Sequence, residues 1–76
     1  ALNAIQDALT NKLDEINKAT YLPQSERNEL INQANKTAED AVNAVNAAKT
    51  NSAVQEAASE GVKKINAIVV PAQVID

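Results

Sequence analysis

The chain has 76 residues, seven basic and ten acidic side chains, a formal net charge of −3, one aromatic residue and no cysteine, histidine or methionine. This length predicts one small domain, and the absence of cysteine and histidine excludes the disulfides and structural zinc sites that stabilise many domains of this size. Scattered basic residues and a single aromatic side chain also argue against a nucleic-acid surface or a helix lying on a membrane.

The first predicted helix covers residues 2–20. Lys12, Asp14 and Lys18 are expected to face solvent, with Asp14 and Lys18 paired one turn apart. The helix is expected to end near Thr20, because Pro23 follows closely and the residue before a proline is disfavoured in the α conformation. Six residues at helical spacing share one face of this helix and form its predicted buried stripe: Leu2, Ile5, Leu9, Leu13, Ile16 and Thr20.

The second predicted helix covers residues 23–49 and is expected to be the longest. Pro23 is interpreted as its first residue, where a missing N–H costs nothing, and Glu26 lies in the opening turn, where the helix dipole favours a carboxylate. Its predicted stripe consists mostly of small residues: Ile31, Ala34, Ala38, Ala41, Val45 and Ala48.

The third predicted helix covers residues 51–69, after a polar stretch at residues 50–52 in which any residue can act as the N-cap. Gly61 costs about 1 kcal/mol relative to alanine inside a helix, so we expect another helix to approach closely there, with a bend as the alternative. Pro71 marks the end of this region. The predicted stripe is Val54, Ala58, Gly61, Ile65 and Ile68.

These patterns predict an all-α domain over residues 1–70, an antiparallel up-down-up three-helix bundle, because short connections force neighbouring helices to run in opposite directions. Residues 71–76 are interpreted as a linker or the start of a following unit. The longest apolar run, residues 67–70, is too short to span a membrane. Since the chain begins at Ala1 and has no methionine, we expect it to be a piece of a longer protein.

One four-residue phrase, apolar-Asn-Ala-apolar, recurs once in each predicted helix. Its apolar ends are expected to be buried, its alanine to permit close helix contact, and its asparagine to face water. The three copies are Leu2-Asn3-Ala4-Ile5, Val42-Asn43-Ala44-Val45 and Ile65-Asn66-Ala67-Ile68.

The chemical inventory is thin. Without histidine there is no Ser-His pair, and the adjacent carboxylates at 14–15 and 39–40 point about 100° apart on a helix, so they do not converge on one atom. The sole glycine, Gly61, belongs to no calcium or phosphate-binding loop. We therefore expect no enzyme activity, no catalytic residue, no cofactor and no metal site.

Tyr21 is the one aromatic residue, and aromatic side chains often dominate protein-protein interfaces. It is therefore a candidate interaction anchor. Because it stands beside Leu22 at the predicted helix junction, the alternative is that it covers the end of the core.

Four segments resemble an alanine-rich repeat, a domain of unknown function found in tandem in very large staphylococcal and lactobacillar cell-wall adhesins. The segments are Ile16-Asn17-Lys18-Ala19-Thr20, Leu22-Pro23-Gln24-Ser25-Glu26-Arg27, Ala47-Ala48-Lys49-Thr50-Asn51-Ser52-Ala53-Val54, and Gly61-Val62-Lys63-Lys64-Ile65-Asn66-Ala67-Ile68 with Pro71. Residues 22–31 also resemble the start of helix two in related albumin-, immunoglobulin- and fibronectin-binding modules. The resemblance implies a three-helix bundle, an extracellular cell-wall location and neighbouring repeats.

Two functions from different classes are predicted. The first is a non-enzymatic stalk or spacer repeat of a cell-wall-anchored adhesin, monomeric in isolation, whose partners are the neighbouring repeats of the same chain. The alternative is a binding module for a host plasma or matrix protein, with Tyr21, Glu26 and Arg27 on a face of helices one and two, as in the related modules. Neither involves nucleic acid or membrane contact.

Overall fold

The structure is a computed structural model that describes residues 2–71. It contains three α-helices: α1 (Leu2–Lys18), α2 (Gln24–Ala47) and α3 (Asn51–Asn66). With 24 residues α2 is the longest, about 36 Å at 1.5 Å per residue. The predicted all-α three-helix fold is confirmed.

The helices run up, down and up. Ile5, near the start of α1, shares a buried cluster with Ala41 and Val45 near the end of α2. Ile68, just after α3, shares a second cluster with Ile16 near the end of α1. The first and third helices are therefore parallel to each other and antiparallel to α2.

The core combines large side chains from α1 and α3 with small ones from α2. The largest fully buried side chains are Ile5, Ile16 and Ile65, while α2 contributes mainly alanines. Large residues facing small ones let the layers interdigitate at native density. The buried members of the two clusters are Ile5, Ala8, Ala38, Ala41, Val45, Ala58 and Ile65 in the first, and Ile16, Ala34 and Ile68 in the second.

Gly61 lies where α2 and α3 come closest, which confirms the predicted close approach. A methyl group on Gly61 would overlap the Cβ of Ala41 and lie 3.6 Å from the Ala41 Cα. α3 continues through this position without a break. The glycine is there because the methyl group of Ala41 leaves no room for a side chain at this position.

The first helix ends at Lys18, two residues before the predicted end. The N–H of Ala19 donates to the Ile16 carbonyl (3.1 Å), and the N–H of Leu22 donates to the Ala19 carbonyl (3.0 Å), so the chain turns here. This turn buries Ala19 and Leu22 and leaves Thr20 exposed, although Thr20 was predicted to lie on the buried stripe.

The second helix begins one residue later and ends two residues earlier than predicted. Pro23 has φ −58° and ψ 148°, so it precedes the helix as its N-cap residue, and its carbonyl accepts the N–H of Arg27 (3.1 Å). At the other end, Ala48 is extended with ψ 138°. The chain must extend there to bring Thr50 into position as the cap of α3.

The third helix ends at Asn66, three residues earlier than predicted. After it the N–H of Ile68 donates to the Ile65 carbonyl (3.2 Å), a tighter turn than the α-helix makes. The turn places Ile68 in the core, where it is 5% exposed. Burial of Ile68, together with the constraint that Pro71 puts on the preceding residue, ends the helix.

The recurring phrase behaves only partly as predicted. Its asparagine is exposed in all three copies, and its last apolar residue is buried in all three. Its alanine is exposed rather than held between helices, and its first apolar residue is exposed, half-buried and buried in turn. The alanines are Ala4, Ala44 and Ala67, and the first apolar residues are Leu2, Val42 and Ile65.

Of the three predicted caps for α3, the structure uses Thr50, whose hydroxyl accepts the N–H of Ala53 (3.1 Å). Replacing Thr50 with alanine leaves that N–H without its protein partner, so we expect the free energy of unfolding to fall by about 1 kcal/mol in chemical denaturation. Thr50→Ser keeps the hydroxyl and is expected to retain most of the stability. Equal losses in both variants would contradict a role for the cap.

Candidate functional site

The three residues predicted to bind protein lie around the α1–α2 connection. Tyr21 is within the connection and 42% exposed, while Glu26 and Arg27 follow in the first turn of α2. The Tyr21 hydroxyl donates a hydrogen bond to the carbonyl of Pro71. Glu26 is exposed and Arg27 is half-buried.

Arg27 is engaged by its own helix. Its Nη2 donates to Gln24 Oε1 at 3.0 Å, and Gln24 Nε2 in turn donates to Asn28 Oδ1 at 2.9 Å. The Arg27 Nε is buried, and no acceptor within residues 2–71 satisfies it. No hydrogen bond or ion pair joins Tyr21, Glu26 and Arg27 in that part of the chain, so the three residues do not form one connected cluster.

Lys12 is the residue that sequence reasoning missed. It was predicted to face solvent, but it is only 8% exposed. Its Nζ donates to the carbonyl of Ile68 at 2.8 Å and to Glu15 Oε2 at 3.3 Å. Burial of the ammonium leaves no unpaired charge, because the ammonium contacts the Ile68 carbonyl, just after the negative end of α3, and the Glu15 carboxylate.

A signal for Lys12 is present in the sequence. Lys12 stands four residues after Ala8 and four before Ile16, both of which are buried, so helical spacing places it on the buried face. The assignment to solvent followed from the predicted stripe, which runs through Leu9, Leu13 and Ile16 and leaves Lys12 out. A lysine can bury its methylenes and still present its ammonium to a polar group.

Lys12 and Tyr21 hold the same short piece of backbone. Residues 67–71, here called the exit segment, follow α3 and carry both acceptor carbonyls, those of Ile68 and Pro71. Lys12 comes from α1, and Tyr21 comes from the connection after it. The exit segment is thus fixed against the end of the bundle where α1 finishes and α2 starts.

A second surface feature is a groove of about 320 Å³ between α2 and α3. It exists because small residues at the helix contact leave the surface concave beside Gly61. The groove offers two carboxylates, Asp40 and Glu60, and one ammonium, Lys64. The lining residues are Thr37, Asp40, Ala41, Ala44, Ala57, Glu60, Gly61 and Lys64. These two carboxylates and one ammonium beside small side chains give no nucleophile paired with a base.

The predicted pair between Asp14 and Lys18 is present on the exposed side of α1, with 2.9 Å between Asp14 Oδ2 and Lys18 Nζ. The hydrogen bond that Lys18 donates to Asp14, and then the negative charge of Asp14, raise the pKa of Lys18 above its ordinary value of 10.5. Because the folded-state pKa is raised, any stabilisation is complete at neutral pH and is lost only in strongly alkaline solution.

Among residues 2–71 no group of three or more acidic, histidine or cysteine side chains is placed to hold a metal ion. None of the helices in the same range is both long and apolar enough to cross a bilayer.

Comparison with known proteins places the chain in a family without assigning it an activity. No curated protein and no solved structure matches it significantly. The family model described as "Domain of Unknown Function (DUF1542)" matches residues 1–73, almost the whole chain. The match agrees with the predicted resemblance to a domain of unknown function. The chain therefore belongs to the DUF1542 family.

Proposed function

We propose that this domain is a non-enzymatic structural unit, a spacer in the stalk of an extracellular, cell-wall-anchored surface protein. The observation that carries the proposal is the placement of the chain ends. Leu2 lies at the end of the bundle where α2 finishes, and Pro71 lies at the opposite end, beside Tyr21. Each unit of this kind advances the chain by the length of the bundle.

The distance gained per unit follows from the helix lengths. α2 is about 36 Å long in a molecule whose longest extent is 51 Å, and α1 and α3 both run in the opposite direction to α2. A two-helix hairpin would return the chain to its starting end and gain almost nothing. Repeated units of three helices thus build length efficiently, and their contacts would be mainly with the preceding and following units.

The sides of the bundle suit a spacer. The exposed positions of α2 carry mainly polar and charged residues, and the large apolar residues that are exposed, Leu2, Tyr21 and Val69, lie near the bundle ends. Hydrated sides keep neighbouring stalks apart, while apolar residues at the ends are available to adjacent units. The exposed serines and the groove supply no paired nucleophile and base, which supports the non-enzymatic part of the proposal.

A polypeptide with two copies of the domain in tandem tests the proposal. Small-angle X-ray scattering is expected to show a maximum dimension that exceeds that of one copy by about the length of α2, some 36 Å. A matched polypeptide with a flexible Gly/Ser linker between the copies is expected to show a broader distribution of distances. If the maximum dimension grows by less than half of that length, the copies fold back on each other and the spacer proposal is wrong.

The host-protein alternative stays a prediction. The Tyr21 hydroxyl and Arg27 Nη2 are engaged within the domain, whereas the Tyr21 ring and Glu26 are exposed to a partner. Passing plasma over immobilised domain tests it. Retention of fibronectin, albumin or immunoglobulin that is lost in Tyr21→Ala would favour the binding module over the spacer.

A further inference from the structure

We propose that Lys12 and Tyr21 form a clamp that fixes the direction in which the chain leaves the bundle. The clamp consists of two hydrogen bonds from side chains early in the sequence to backbone carbonyls of the exit segment. Only its use in a stalk rests on the proposed function, since the clamp itself is a property of a single domain.

The first contact is made inside the protein. Lys12 Nζ lies 2.8 Å from the carbonyl oxygen of Ile68, a residue 56 positions later, and both residues are buried. A charged donor forms a stronger hydrogen bond than a neutral one, and a carbonyl near the end of α3 carries extra negative potential. The ammonium also donates to Glu15 Oε2, at 3.3 Å.

The second contact is made at the surface. The Tyr21 hydroxyl donates to the carbonyl of Pro71, 50 positions later. Between the two clamped carbonyls, Val69 is 75% exposed, whereas Val70 packs against the second core cluster. The exit segment is thus held at Ile68, Val70 and Pro71 in succession.

These contacts replace restraints that the helix no longer supplies. α3 ends at Asn66, so residues 69–71 receive no helical hydrogen bonds, and an unrestrained stretch of this kind would sample many directions. With the clamp, the direction of the chain at Pro71 is set by α1 and by the α1–α2 connection. The side chains that fix the exit are therefore part of the folded bundle and not of the linker.

Backbone dynamics of the Val69 and Val70 amides test the clamp. In the parent domain we expect ¹⁵N order parameters close to the rigid value of about 0.85, and in the double variant Lys12→Met/Tyr21→Phe we expect values below about 0.6. Methionine keeps the apolar stem of Lys12 and removes its charge, while phenylalanine removes only the Tyr21 hydroxyl. Lys18→Met, at an exposed lysine of the same helix, is the matched control and is expected to change nothing at Val69 and Val70.

Distance measurements between spin labels report motion that is too slow to affect the order parameters. The chain has no cysteine, so Asn46→Cys and Val69→Cys place labels only at two exposed sites near opposite ends of the bundle. We expect a narrow distance distribution with the clamp and one at least twice as wide in the double variant. If both the order parameters and the distance distribution stay unchanged, the clamp proposal is wrong.

Two outcomes need separate controls. If Lys12→Met lowers helicity in circular dichroism, the Tyr21→Phe single variant alone decides whether the clamp exists, because the exposed Tyr21 hydroxyl is not needed for the core. An unchanged order parameter at Val70 in Tyr21→Phe would then overturn the clamp.

The tandem scattering experiment is independent of the dynamics experiment. A clamp that holds in single domains whose tandem copies fold back on each other would leave the inference standing and remove the spacer proposal.

Discussion

Replacing Gly61 with alanine is expected to lower the free energy of unfolding by about 2 kcal/mol, although the same change at an exposed helical site would raise it by about 1 kcal/mol. The added methyl would overlap the Ala41 Cβ and reach the Ile5 side chain, whose Cγ1 would be 3.7 Å away. α2 and α3 must then move apart along their contact. For a domain of this size we expect the melting temperature to fall by roughly 10 °C.

The partner methyl group supplies the control. Ala41→Gly alone is expected to lower stability by about 1 kcal/mol through helix propensity. The double variant Ala41→Gly/Gly61→Ala moves the methyl from α2 to α3, where it meets the position 41 Cα at 3.6 Å, an ordinary contact. We expect the double variant to unfold within about 1 kcal/mol of the parent. A stabilised Gly61→Ala single variant in urea denaturation would contradict the close helix contact.

The largest expected effect comes from Ile65→Ala, which should cost about 3 to 4 kcal/mol. Ile65 is 0% exposed and belongs to the cluster that joins all three helices, so its loss leaves a cavity lined by every helix. A domain of 76 residues has a total stability of roughly 4 to 11 kcal/mol. The variant is therefore expected to lose a large share of that stability, measured as a lower denaturation midpoint by circular dichroism.

Val69→Ala is the control for Ile65→Ala. Val69 lies four residues later and is 75% exposed, so its truncation is expected to change stability by no more than about 0.5 kcal/mol. Ile65→Val, which removes one methyl group, should fall between the two, at about 1 kcal/mol. A loss below 1 kcal/mol for Ile65→Ala would mean that the core at α3 is not packed as described.

The existence and order of the helices could be predicted from the sequence because one buried face repeats every three or four residues. Ala34, Ala38, Ala41 and Val45 were predicted to be buried on α2 and are. The close helix contact at Gly61 was predicted from the energetic cost of glycine inside a helix. A glycine on an apolar stripe indicates a neighbour that excludes a side chain. Local periodicity carries this information without any knowledge of the other helices.

The helix ends could not be predicted in the same way, because contacts between distant residues decide them. α3 stops at Asn66, and after it Ile68 turns into the cluster that contains Ile16. Thr20 was misplaced for a related reason, as Ala19 and Leu22 fill the core at the end of α1. Periodicity does not show where the chain leaves one helix in order to pack against another.

The clamp contacts were beyond sequence reasoning for the same reason. Tyr21 was singled out as an anchor or a cover for the core, but its hydrogen bond goes to Pro71, 50 positions away. Lys12 was assigned to solvent because the predicted stripe left it out, although its spacing from Ile16 placed it on the buried face. Charge is a poor guide to exposure for a side chain whose stem is apolar.

The odd number of helices has a consequence for how such a protein can change. The chain enters a three-helix unit at one end of the bundle and leaves it at the other, so it runs in the same direction after the unit as before it. Gene duplication or loss of a whole unit would alter the reach of whatever follows without reversing its orientation. A unit with an even number of helices would turn the downstream part back with each copy gained or lost.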